Sequence, residues 1–175
     1  MSLAKAFLES YLTRSSYYKE LGDKTFEQLN EAGFHYQPYT ESNSIAMIIQ
    51  HMAGNMLSRF TNFLTEDGEK TWRNRDMEFE EQQLTREQLL IKWNKGWNCY
   101  LSVIKNLRED DLLKTITIRS EELTVTDALN RQLAHYPYHV GQIVYIGRMI
   151  KKEEWKTLSI AKGKSDEFNS KMNTK

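Results

Sequence analysis

Residues 124–151 read TVTDALNRQLAHYPYHVGQIVYIGRMIK, and this one stretch sets the architecture. Thr124-Val125-Thr126-Asp127 resembles a capping box, with Asp in place of Glu, so a helix is expected to open here. Val125, Leu129, Tyr136, Val140, Ile143 and Gly147 then lie on one face, as a helix buried on that side requires. The pattern predicts a helix to about Lys151. Pro137 falls inside it, where it removes one backbone hydrogen bond and crowds the carbonyl of Leu133. A helix beginning at Pro137 is the alternative. The Thr124 cap and the apolar Leu129 and Leu133 favour a continuous, kinked helix instead.

Working outward, the same periodicity appears three more times. A first helix is expected after the Ser2 cap, with Leu3, Phe7, Leu8, Tyr11, Leu12, Tyr18 and Leu21 facing inward. It continues toward Phe26 and Leu29, with a break possible at Gly22. Ser42 or Ser44 caps a second helix whose stripe is Ile45, Ile48, Ile49, Met52, Met56, Phe60 and Phe63, ending near Thr65. Thr85-Arg86-Glu87-Gln88 is a capping box opening a third, with Leu89, Leu90, Trp93, Trp97, Tyr100, Leu101 and Ile104 on its buried side. Only two prolines interrupt the chain, which suits long helices. Residues 66–84 are a long polar connection, either a solvated loop with a short helix in it or a functional segment. Partial alternation over 115–125 predicts a small β-hairpin. The expected architecture is all-α: a four-helix bundle over residues 1–152, followed by a polar, extended tail over 153–175.

The last helix carries His135-Tyr136-Pro137-Tyr138-His139, an H-x-x-x-H pair. Residues four apart are neighbours on a helix face, so one ion can bridge them. A helix turns about 100° per residue, which puts His139 and His135 on the flank of the core stripe, with Gln142 continuing that flank. His51, on the second helix, lies on a polar flank shared with Asn55, Ser58 and Asn62. Three imidazoles from facing helices form a zinc-type ligand set that leaves a coordination position open. His35 lies in a loop before Pro38 and is set aside.

Composition bounds the function. A chain of 175 residues with 39% apolar and 27% charged side chains suits one globular domain. Lys+Arg and Asp+Glu both number 24, so there is no basic excess to attract nucleic acid or a membrane surface. No apolar run is long enough to span a bilayer. The lone cysteine, Cys99, forms no intrachain disulfide and sits among Trp97, Tyr100 and Leu101, a setting for an inert thiol. The first nine residues do not read as a signal peptide, so a cytoplasmic location is expected.

The segments Ser42-Asn43-Ser44-Ile45-Ala46 and His51-Met52-Ala53-Gly54-Asn55 resemble the second helix of DinB/YfiT-like proteins. Arg131 to Ile143, with its two histidines, resembles their last-helix motif, and the Asp67-Gly68-Glu69-Lys70 to Trp72-Arg73-Asn74-Arg75 stretch resembles one uncharacterised subgroup. The resemblance implies a four-helix bundle with a divalent metal on His51, His135 and His139, often in a homodimer. Relatives with known activity include S-transferases and isomerases that use low-molecular-weight thiols. Pro137 departs from the small residue more usual at that place.

The expected function is therefore a metal-dependent enzyme, of thiol S-transferase or hydrolase type, acting on a small molecule. A ligand set of three nitrogens favours zinc or nickel, with iron or manganese as alternatives. Asn55 and Gln142 are candidates for orienting a ligand or a bound water; Arg59, Trp72, Arg73 and Arg75 are candidates for binding an acidic substrate group. The alternative is a non-catalytic dimeric helical bundle with a structural or vestigial metal site, in which Trp93, Trp97 and Tyr100 serve as interface aromatics.

Overall fold

The computed structural model describes residues 1–172. It is mostly helical with one small antiparallel sheet. Six helices occur among the described residues: α1 (Leu3–Phe26), α2 (Glu31–Phe34), α3 (Ile45–Phe60), α4 (Arg86–Asn106), α5 (Val125–Lys151) and α6 (Ser165–Met172). Strands β1 (Thr115–Ile118) and β2 (Glu121–Thr124) form the hairpin. Short 3-10 turns lie at Asp76–Phe79, Glu109–Asp111 and Lys152–Glu154. No helix among the described residues is long and apolar enough to cross a membrane.

The long helices start where a side-chain oxygen meets an orphan backbone N–H. Ser2 accepts from the Lys5 amide, Ser44 from Met47 and Thr124 from Asp127. At α4 the capping box is complete, with Thr85 and Gln88 capping each other's backbone. Each such cap stabilises a helix by about 1 kcal/mol. Helix α5 runs unbroken through Pro137, as the upstream pattern predicts.

Helices α1, α3, α4 and α5 pack around one core, α3 against α4 and α1 against α5 most extensively. Trp93, Trp97 and Tyr100 on α4 are fully buried there with Tyr136 of α5, so they are core rather than interface aromatics. Buried phenols need partners. Tyr100 donates to Tyr11 at 2.9 Å, and Tyr11 donates to the Leu129 carbonyl at 2.6 Å.

Three local expectations change. Gly22 does not break α1, which runs continuously through it, and the Trp93 ring fills the space a Cβ would take. Helix α3 ends at Phe60 rather than near Thr65, because Thr61 is extended and Asn62 turns left-handed at φ 53°. The C-terminal segment is not simply extended. Lys156 and Gln28, two residues past the end of α1, exchange two hydrogen bonds, and α6 forms with Glu167 paired to Lys164 and Lys171.

The segment between α3 and α4 is latched to the hairpin. The turn residues Arg119 and Ser120 have φ of 56° and 62°, a left-handed pair that non-glycine residues adopt only with support. The Asp67 carboxylate supplies it, accepting from both their amides at 2.8 Å. Gly68 donates its amide to Thr117 of β1 at 2.8 Å. Thus anchored, the chain continues across α3 and lays the Asp76–Phe79 turn over it.

Candidate metal centre

His51 sits in the middle of α3, and His135 and His139 lie one turn apart on α5. The structure brings the three rings together: one potential ligand atom from each falls within 4.8 Å of the others. His135 Nε2 is 3.3 Å from His51 Nε2 and 3.0 Å from His139 Nε2. Two nitrogens bound to one zinc ion at about 2.0–2.1 Å in tetrahedral geometry lie roughly 3.3–3.4 Å apart. Pro137, inside the helix, has not separated the pair.

Why do these nitrogens face each other? The answer lies behind the rings. His51 donates Nδ1–H to Glu78 Oε2 at 3.0 Å, and His139 donates Nδ1–H to Gln142 Oε1 at 2.8 Å. A neutral imidazole protonated at Nδ1 carries its lone pair on Nε2. Two lone pairs therefore point at His135 Nε2, which has at most one proton to offer them. An ion in the middle satisfies all three nitrogens at once. Such partners behind a ligand fix its tautomer and ring orientation.

Electrostatics favour the neutral form of His135 and His139. Burial pushes the His135 pKa down to about 3, with the neighbouring His139 and His51 and the cations Arg73 and Arg131 adding to the effect. Burial likewise lowers that of His139, against the hydrogen bond to Gln142. Glu78 stays ionised: burial raises its pKa, but hydrogen bonds from Arg73 and His51 outweigh this. Arg73 grips Glu78 in a bidentate fork, Nε to Oε1 at 2.8 Å and Nη2 to Oε2 at 2.9 Å. Gly54 makes room for this carboxylate. A Cβ there would lie 2.0 Å from Glu78 Oε1.

His51, read from the sequence as lying on a polar flank, is only 5% exposed. Phe79 from the loop turn lies against it, tilted, at 4.7 Å between ring centroids. Glu78 itself had no signature in the sequence: it lies 27 residues from His51 in a polar run, and only the loop's path brings them together. Gln132 was also missed. It precedes His135 by three residues, so following the histidine flank backward along α5 reaches it. Its side chain is buried, and its Oε1 has no hydrogen-bond partner.

The three histidines line a cavity of about 380 Å³ that also exposes Asn55, Gln132 and Tyr138. Asn55 Oδ1 accepts from the Tyr136 hydroxyl at 3.0 Å, which fixes the amide beside the triad. Of the residues expected to bind substrate, Arg59, Arg73 and Arg75 line this cavity, while Trp72 lines a neighbouring one with Gln50 and Lys92. Arg73 is held by Glu78, and Arg59 by the Gly68 carbonyl and by Glu69. Cys99 does not line this cavity, and burial raises the pKa of its thiol, as an inert cysteine requires. His35 is occupied by Glu81 and the Leu84 carbonyl.

A family model described as "Protein of unknown function (DUF1572)" matches residues 2–164 of the chain. No curated protein matches it.

Proposed function

We propose that this chain, which belongs to the DUF1572 family, is a metal-dependent enzyme built on a four-helix bundle of the DinB/YfiT-like type. It holds one divalent ion on Nε2 of His51, His135 and His139 and acts on a small molecule by S-transfer or hydrolysis. The observation that carries this reading is the convergence of three Nε2 atoms, two of them oriented from behind by Glu78 and Gln142. Zinc or nickel suits three imidazole nitrogens best, with iron or manganese next. When bound, the ion supplies Lewis acidity and lowers the pKa of a coordinated water or thiol.

The chain's own residues divide the remaining work. Glu78 and Gln142 hold the ligand tautomers, and Arg73 holds Glu78. Asn55 and Gln132 present amide groups to the cavity, where Gln132 Oε1 is placed to receive an N–H or O–H from a bound molecule. Phe79 shields His51 from water on one side. A purely structural site is normally closed by a fourth protein ligand. Among the described residues the cluster offers three, and its remaining side faces the cavity, which favours catalysis over a structural role.

The resemblance to DinB/YfiT-like proteins adds a low-molecular-weight thiol as co-substrate and a homodimer. The deciding experiment measures metal content in tag-free protein and in His139→Ala, then screens thiol transfer to electrophiles with several metals. Metal in the native chain, its loss in the variant and metal-dependent turnover are expected. Equal metal content in both proteins sinks the proposal.

A further inference from the structure

The cavity above the triad is unusually rich in one side chain. Five of the chain's nine arginines line it, namely Arg59, Arg73, Arg75, Arg119 and Arg131, although the chain as a whole carries no net charge. Among the described residues, no lysine and no carboxylate line it. Arginine is the residue whose planar fork matches carboxylate and phosphate oxygens.

Internal pairing accounts for two of the five. Arg73 is 2% exposed and locked to Glu78, and Arg59 is buried against Glu69 and the Gly68 carbonyl. The other three are differently placed. Arg119 lines the cavity and engages Glu69 through Nε at 2.7 Å, with its side chain half exposed. Arg131 approaches Glu121 only to 3.6 Å, and Arg75 approaches Asp76 only to 4.0 Å. Both separations exceed a hydrogen bond, and both carboxylates are largely exposed, so these pairings contribute little. Arg75 is further held over the Phe79 ring at 5.1 Å, which fixes its position at the rim. Deeper in the same cavity, Gln132 is 3% exposed with its Oε1 unpartnered, a second sign that a bound molecule completes this space.

We propose that the molecule handled at the triad is an anion, carrying a carboxylate or phosphate group that Arg75, Arg119 and Arg131 hold at the cavity mouth while its other end reaches the histidines. The proposal rests on the metal-enzyme reading for the reacting end; the arginine arm is independent of it. The anionic group places the reacting atoms, so the arginines set which substrates enter rather than take part in the chemistry.

The test uses cobalt-loaded protein and three probes of similar length: 3-mercaptopropionate, 2-mercaptoethyl phosphate and neutral 3-mercaptopropan-1-ol. Sulfur-to-cobalt charge-transfer absorption reads binding. At least one charged probe should bind about tenfold or more tightly than the neutral one, and which one identifies the group. In the Arg75→Gln, Arg131→Gln double variant that preference should collapse while affinity for the alcohol stays unchanged. Inorganic phosphate titrated into EDTA-treated protein reads the arginine arm without a metal, and should bind the native chain but not the double variant. Absence of cobalt binding with phosphate binding intact refutes the metal reading alone. Equal affinity for charged and neutral thiols, or a preference surviving in the double variant, overturns the anion proposal.

Discussion

Gly54→Ala separates the metal site from the stability of the fold. Gly54 lies inside α3, where alanine is the better helix former by about 1 kcal/mol, so the helix itself gains. The new Cβ, however, would lie 2.0 Å from Glu78 Oε1 and 2.8 Å from its Cδ. Ordinary contact begins near 3.4 Å, so the carboxylate must retreat by about 1.4 Å. The His51 Nδ1 to Glu78 Oε2 bond is 3.0 Å long and does not survive such a shift. Arg73, in the same loop and five residues away, moves with its partner, so the buried ion pair persists. Removing a partner behind a metal-bound histidine lowers metal affinity by roughly 10–100-fold. Competition for zinc against a chromophoric chelator gives the dissociation constant, and circular dichroism gives the melting temperature. Weakened zinc binding with little change in melting is expected. Glu78→Gln is the less informative variant, because it strands a nearly inaccessible guanidinium, a loss of about 3–5 kcal/mol that confounds binding with unfolding. Zinc affinity of Gly54→Ala within about twofold of the native value would refute the role given to Glu78.

Three further outcomes are expected. Hydrogen bonds from the amides of Glu69, Ser120 and Arg119 hold the Asp67 carboxyl down at about 2, below its unfolded value of about 3.9. The stability it contributes is therefore complete above about pH 4 and lost as pH falls toward 2, so the melting-temperature gap between native protein and Asp67→Asn should close over that window. At Gly96 a Cβ would meet the Ala53 Cα at 2.9 Å, backbone that cannot swing aside, so Gly96→Ala should destabilise by about 1–3 kcal/mol in urea unfolding; an unchanged midpoint would show that α3 and α4 can separate there. His35→Ala should retain full metal content by elemental analysis, since that ring serves Glu81 and Leu84; lost metal would remove it from its structural role.

What could be read from the sequence follows from how far each interaction reaches along it. The caps at Ser2, Ser44, Thr85 and Thr124 act over three residues, and each appears where its spacing predicts. The histidine pair is equally local, and Pro137 leaves it intact because the helix continues through the proline. His51 was legible as a flank residue but not as a covered one. Its cover and its carboxylate come from residues 78 and 79, whose position depends on the Asp67 latch to a turn more than fifty residues on. The arginines show the same limit. Arg59 and Arg73 read as candidates to bind an acidic substrate group, yet each has a partner set by tertiary path, while Arg119 and Arg131 reach the cavity from the hairpin turn and α5.

The latched loop has a consequence for how such a protein can change over time. The three ligands sit on helices whose other faces build the core, so they cannot drift without loss of the fold. Arg75, Glu78 and Phe79 sit on a connection that contributes little to that core, pinned mainly at Asp67 and Gly68. Apart from Arg73 and Glu78, which hold His51, the residues between those pins and Thr85 can vary while the helices stay as they are. One inherited scaffold can thereby be re-equipped for a different molecule by rewriting fewer than twenty residues, and divergence among relatives should concentrate in that stretch.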